Sequence, residues 1–132
     1  MSTNVIYKLE EFFTSNSVLY HYYDLYFTDQ ELLLIYVGES HRSFLVKDPF
    51  PGKLGREKLE GLSLEEIAKS NDKNIIIPIS KIKKIKITDR SFFRNLTFTV
   101  ETNKKSIELY NERKDIDLEP FKEELTVANY PL

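Results

Sequence analysis

A chain of 132 residues, 41% hydrophobic and 30% charged, is long enough to close one core, and its net charge of −2 speaks against a nucleic-acid-binding domain. The absence of cysteine excludes disulfides, thiolate metal sites and cysteine nucleophiles, and it fits a reducing compartment. The longest apolar run, residues 32–37, falls far short of the roughly 20 residues that span a bilayer, and the first residues lack the basic start of a signal peptide. A single cytoplasmic domain, 1–132, with no transmembrane segment is expected.

The chain holds 16 Leu, 12 Ile and 9 Phe but only 2 Ala, a composition that favours sheet over helix. At the start, Val5, Ile6, Leu9, Phe12 and Phe13 fall on one stripe of a helix, which predicts an N-terminal helix within 1–16. Residues 18–28, rich in tyrosine, and residues 31–37 then predict a hairpin turning at Asp29-Gln30. Both faces of this hairpin are apolar. One face therefore meets the core, and the other is covered by a helix, by the middle insertion or by a second subunit.

The insertion, 38–74, is loop-like, with a short strand expected at 43–47. Within it Ser63 and Glu66 form a capping box, and Leu62 with Ile67 a hydrophobic staple, so a short helix begins at Leu64. Strands follow at Ile75-Ile76-Ile77, through Ile79, Ile82, Ile85 and Ile87 with an irregularity at Ser80-Lys81, at 92–102, and at 105–111 after a tight turn at Asn103-Lys104. Pro120 fits the first position of a C-terminal helix, 118–129, whose apolar face is Leu118, Phe121, Leu125 and Ala128.

This order of elements, with Tyr26-Phe27-Thr28-Asp29-Gln30-Glu31-Leu32-Leu33 and Ile77-Pro78-Ile79-Ser80-Lys81-Ile82, resembles small bacterial domains of the pleckstrin-homology-like and GRAM-like superfamily. The resemblance covers about residues 25–128. It implies an α+β, β-rich fold: a curved antiparallel sheet or partly open barrel of about seven strands capped by the C-terminal helix. It also implies a binding or scaffolding module. Glu31 departs from the family, which often carries a basic residue there.

Charge is unevenly spread. Residues 79–105 hold eight basic and two acidic groups, among them Lys84, Lys86, Arg90 and Arg94, with the arginines beside Phe92 and Phe93. These four are candidate ligands for a phosphate or an anionic lipid surface, set against a solvated strand face guarded by lysines. A second candidate is the tyrosine cluster Tyr20, Tyr22, Tyr23, Tyr26 and Tyr36, whose large amphipathic side chains suit a protein partner or a homo-oligomer.

Catalytic motifs do not emerge. His21 reads as a half-buried sheet histidine and His41 as a loop residue; gathered with Glu39 and Asp48, the latter lacks ligand spacing for a metal. Gly52-Lys53-Leu54-Gly55-Arg56 lacks the spacing of a phosphate loop and reads as an ordinary loop. Glu65, Glu66, Asp115 and Asp117 suit helix starts and turns. No catalytic residue, cofactor or metal is therefore expected. The leading expectation is a non-enzymatic module that binds a protein or its own copy through the tyrosine hairpin; anion binding through residues 81–105 comes second, and a small enzyme third.

Overall fold

The computed structural model describes residues 4–15, 19–41, 50–92, 94–113 and 115–132. Among these residues seven strands, β1 (Val5–Ser15), β2 (Leu19–Thr28), β3 (Glu31–His41), β4 (Ile75–Pro78), β5 (Ile82–Thr88), β6 (Leu96–Thr102) and β7 (Ser106–Asn111), form one antiparallel sheet. Helices α1 (Lys53–Glu57) and α2 (Leu64–Ala68) lie between β3 and β4, and α3 (Leu118–Val127) follows β7. The β-rich class and the C-terminal helix are as expected. No described helix is long and apolar enough to cross a membrane.

The strand order is β4-β3-β2-β1-β7-β6-β5, so consecutive strands β4 and β5 form opposite edges. Laid flat, six inter-strand gaps of about 4.8 Å would separate those edges by roughly 29 Å. Yet only the 3-10 turn Ile79–Lys81 joins them, and the four steps from Pro78 to Ile82 reach at most about 14 Å. The sheet must curl until its edges approach at this corner, although it does not close.

The end of the chain bridges the gap. Ile85 N–H on β5 donates to Pro131 O at 2.7 Å, and the Tyr130 hydroxyl lies 2.7 Å from Thr28 O and 2.8 Å from Glu31 O at the β2–β3 turn. That turn is pinned by Thr28 Oγ1, which accepts from Gln30 N–H and Glu31 N–H.

One face of the sheet packs on α3. Leu25, Phe27, Leu34, Phe98, Val100 and Leu109 are each 0% exposed there, together with Leu125 of the helix. The Phe27 ring meets Phe98, Phe121 and Tyr130 edge-on at 5.2 to 5.8 Å between centroids, a geometry that suits aromatic quadrupoles. Leu96, Phe98 and Val100 face inward while Thr97 and Thr99 are half-exposed, as their alternation requires.

Several expectations need correction. Residues 5–13 are a strand, not a helix. A bulge lies between Leu9 and Phe12, with Glu11 at φ 67°, so Leu9 and Phe12 share the α3 face three residues apart and counterfeit a helical period. Gly52-Lys53-Leu54-Gly55-Arg56 is not a loop but contains most of α1. β6 starts at Leu96 rather than at residue 92. Pro120 is the third helical residue, because Asp117 is the N-cap and Leu118 comes first; its missing N–H is still harmless within the first turn. The strand expected at 43–47 lies outside the described residues.

The capping box at Ser63 is present in both directions, with Glu66 N–H donating to Ser63 Oγ and Ser63 N–H to Glu66 Oε1. Its hydrogen bonds hold the Glu66 carboxyl below the ordinary glutamate value.

Burial pushes the Tyr130 phenol far above the ordinary tyrosine value of 10.0. Below that pH the phenol is neutral whether the chain is folded or unfolded. Above it the unfolded chain loses the proton while the folded chain keeps it, so stability falls as pH rises. Tyr23 and Tyr26, also raised by burial, add to the same limb. Denaturant titrations between neutral pH and about pH 11 should show this alkaline loss, and Tyr130→Phe should make it shallower while lowering stability at neutral pH by about 1 kcal/mol.

Candidate functional site

Which surfaces are available depends first on the second face of β2 and β3. Asp24 on β2 is 0% exposed. Its carboxylate receives Arg56 Nε–H at 2.6 Å on Oδ2 and an Arg56 Nη2–H at 2.8 Å on Oδ1, a bidentate pair supplied by α1, while Glu11 N–H from the β1 bulge donates to Oδ1 at 3.2 Å. Glu10 Oε2 stands 3.3 Å from Arg56 Nε. Hydrogen bonding to Asp24 raises the Arg56 guanidinium above its ordinary value.

The approach of α1 requires glycine. A Cβ on Gly55 would stand 1.8 Å from Val37 O, a backbone atom that cannot step aside, and Gly52 takes φ +82° against the Val37 side chain. Beyond α1, Leu64, Ile67 and Ala68 of α2 bury Tyr26, Leu33 and Ile35. Asn74 fastens α2 to the sheet: its Nδ2 donates to Ile67 O and Ala68 O, and its Oδ1 accepts Tyr36 N–H at 2.8 Å.

The insertion, rather than a separate helix or a second subunit, therefore covers the apolar second face. This changes the standing of the tyrosines. Tyr22 is 2% exposed and Tyr26 6%, inside the chain's own packing, so they do not line an external surface. Tyr23 belongs to the α3 core. Tyr20 is half-buried and stacks on Phe13 at 4.3 Å. Tyr36, also half-buried, lies beneath Lys73 Nζ at 4.7 Å.

The basic segment has the opposite character. Lys81, Lys83, Lys84, Lys86, Arg90 and Arg94 are all exposed. β5 is an edge strand whose apolar side chains Ile82 and Ile85 anchor it to the core, and Lys84 and Lys86 stand on the face away from α3. Lys86 Nζ pairs with Glu101 Oε1 at 3.0 Å, which holds the Glu101 carboxyl below the ordinary range.

β5 runs into a narrow loop. Ser91 N–H donates to Arg94 O at 2.9 Å and Arg94 N–H to Ser91 O at 3.3 Å, so the chain reverses tightly there. Arg90 N–H is held by Asp89 Oδ1 and Arg94 Nη2–H by Asp89 O. The structure thus brings Arg90 and Arg94 together, with Lys84 and Lys86 on the strand leading to them. Phe92, 94% exposed, stands in this loop beside the arginines rather than in β6. A groove of about 470 Å³ opens beside them, bordered also by Asn95 and Glu112.

Other candidates resolve into structural roles. His21 is half-buried in β2, with Nδ1 3.7 Å from Glu39 Oε2. The His41 side chain and Asp48 lie outside the described residues, among which no group of three or more His, Asp or Glu gathers as a metal site would require. A groove of about 550 Å³ between β1 and the segment before α3 is charged, but its Lys8 pairs with Glu10 at 3.2 Å and its Arg113 is bidentate with Asp115. Asp117 caps α3. No family model, no curated protein and no solved structure matches the chain.

Removing one member of a buried, hydrogen-bonded ion pair strands the other charge. Arg56→Ala and Asp24→Ala should each lower unfolding free energy by about 3 to 5 kcal/mol in denaturant titration, and Arg56→Lys should restore only part of it, because an ammonium cannot make the bidentate fork. A loss below about 1 kcal/mol, the range of exposed pairs, would show the pair to be incidental.

Proposed function

We propose that the chain is a non-enzymatic binding module that recognises an anionic, phosphate-bearing surface through edge strand β5 and the loop after it. The observation that carries this reading is the exposure of every basic side chain in that segment: six basic residues and one acidic residue stand between Lys81 and Arg94. Solvation alone explains scattered lysines, but Arg90 and Arg94 held within one tight turn form a local concentration of donors with the fork geometry that suits phosphate oxygens. Because the whole chain is slightly acidic, with a pI near 5.8, the attraction is confined to this region.

The tyrosine hairpin is the less favoured surface because its central rings lie under the insertion. Family membership is part of the proposal: a seven-strand antiparallel sheet followed by a helix is the arrangement the pleckstrin-homology-like resemblance implies. In such a module the sheet is a rigid platform and the loop is the reader.

Retention on phosphocellulose at neutral pH tests the reading. An acidic protein is retained only through a local basic region, so the chain should bind at low salt and elute as salt rises. Lys84→Glu combined with Arg90→Glu should abolish retention, whereas Lys58→Glu combined with Lys69→Glu, an equal change in net charge elsewhere, should leave it nearly unchanged. Equal loss in both double variants, or no retention of the natural chain, would count against the proposal.

A further inference from the structure

β2 and β3 fall out of step at one point. Tyr23 pairs with Tyr36 and Tyr22 with Gly38, so Val37 is an extra residue on β3. In an unbroken strand Tyr36 and Glu39, three residues apart, would point to opposite faces. The bulge returns them to the same face, where His21 stands directly across from Glu39. A bulge that re-aims a side chain is a device found beside functional sites. Here it gathers an imidazole, a carboxylate and a phenol.

From this arrangement we propose that His21, Glu39 and Tyr36 form a binding site for a divalent transition-metal ion, copper(II) in preference to zinc(II), at the end of the β2–β3 hairpin far from its turn. The third donor is a phenol rather than another His, Asp or Glu. The spacing of the donor atoms carries the inference. The Tyr36 hydroxyl stands 3.4 Å from Glu39 Oε2, and His21 Nδ1 stands 3.7 Å from the same oxygen. Those distances are long for hydrogen bonds to a carboxylate, which shorten to about 2.7 Å when charge assists them. They lie close to the roughly 3.3 Å that separates neighbouring ligands around a tetrahedral ion with bonds of about 2.0 Å. Small side-chain movements bring all three donors onto one ion, with a position left for water.

The imidazole and the carboxylate are reached from solvent, with side chains 22% and 46% exposed. Lys73 meets Tyr36 over the face of its ring. Burial and the Glu39 carboxylate push the Tyr36 phenol above its ordinary value, so it gives up its proton to solvent only when an ion binds. One nitrogen and two oxygens, without sulfur, suit copper(II) and zinc(II), and copper(II) is held more tightly by such a set. Magnesium(II) prefers an octahedron of oxygens and keeps its water, so these donors do not suit it.

The test is titration of the full chain with copper(II), zinc(II) and magnesium(II) at neutral pH, read by calorimetry, electron paramagnetic resonance and visible absorption. One copper(II) should bind per chain, more tightly than zinc(II), and magnesium(II) should give no saturable binding. The copper(II) complex should show coupling to an imidazole nitrogen and a phenolate charge-transfer band. His21→Asn and Glu39→Gln should each weaken copper(II) binding at least about tenfold, the smaller loss seen when even an outer partner of a metal ligand is removed. Tyr36→Phe keeps the ring and its packing but should abolish the charge-transfer band, and it decides the matter if another variant fails to fold. Glu65→Gln, at an exposed carboxylate elsewhere, should leave binding unchanged. No saturable copper(II) binding by the natural chain, binding indifferent to His21→Asn in a folded variant, a charge-transfer band that survives Tyr36→Phe, or equal affinity for magnesium(II) would each overturn the proposal.

Discussion

A carboxylate completely removed from water is tolerable only if its charge and its lone pairs are met, and Asp24 meets that condition through Arg56 and the backbone N–H of Glu11. The three partners come from different places: a central strand, a helix of the insertion and the bulge of the first strand. Satisfying Asp24 therefore fixes where α1 sits on the sheet. Such a pair adds little stability relative to apolar residues of the same size, but it is costly to break, and it specifies one seating among the many that an apolar contact would allow. Gly52 and Gly55 then permit the backbone approach that the pair demands, and α2 follows into place over Tyr26, Leu33 and Ile35.

The consequence is a sheet with two unlike halves. β2 and β3 are covered on both faces, by α3 on one and by the insertion on the other. β5, β6 and β7 pack on the α3 side, and their opposite face presents Lys84, Lys86, Thr97, Thr99, Glu101 and Glu108 with at least partial exposure. The covered half supplies rigidity. The uncovered half, ending in the Arg90 to Arg94 turn, supplies accessible charge together with an exposed aromatic ring. This division, rather than the abundance of any residue type, is what supports the proposal that β5 and its loop form the recognition surface.

β6, α3 and α2 were legible in the sequence because nothing interrupts their local patterns. Leu96, Phe98 and Val100 alternate without a break, Leu118, Phe121 and Leu125 repeat at helical spacing, and Ser63 with Glu66 announces α2 through a hydrogen-bond pattern local to four residues. β1 was misread because its bulge inserts one extra residue between Leu9 and Phe12, which turns a two-residue period into a false helical one. The burial of Tyr22 and Tyr26 was illegible for a different reason. Alternation shows that both faces of the hairpin are apolar but not what covers them, and the covering depends on Asp24 and Arg56, 32 residues apart. Of the site, the sequence carried the charge and the placement of Lys84 and Lys86 on one face. It carried less of Phe92, whose position before an alternating run made it look like the start of β6.

The most direct test is residue-resolved amide hydrogen exchange on the natural chain and on Arg56→Met, which removes the charge while keeping most of the volume. The account predicts that the substitution greatly accelerates exchange in α1, α2 and the central part of β3 while β5, β6 and β7 keep their protection, because the ion pair holds the insertion rather than the whole sheet. Unchanged protection across the insertion would contradict it, since the covering of β2 and β3 would then owe nothing to the buried charge.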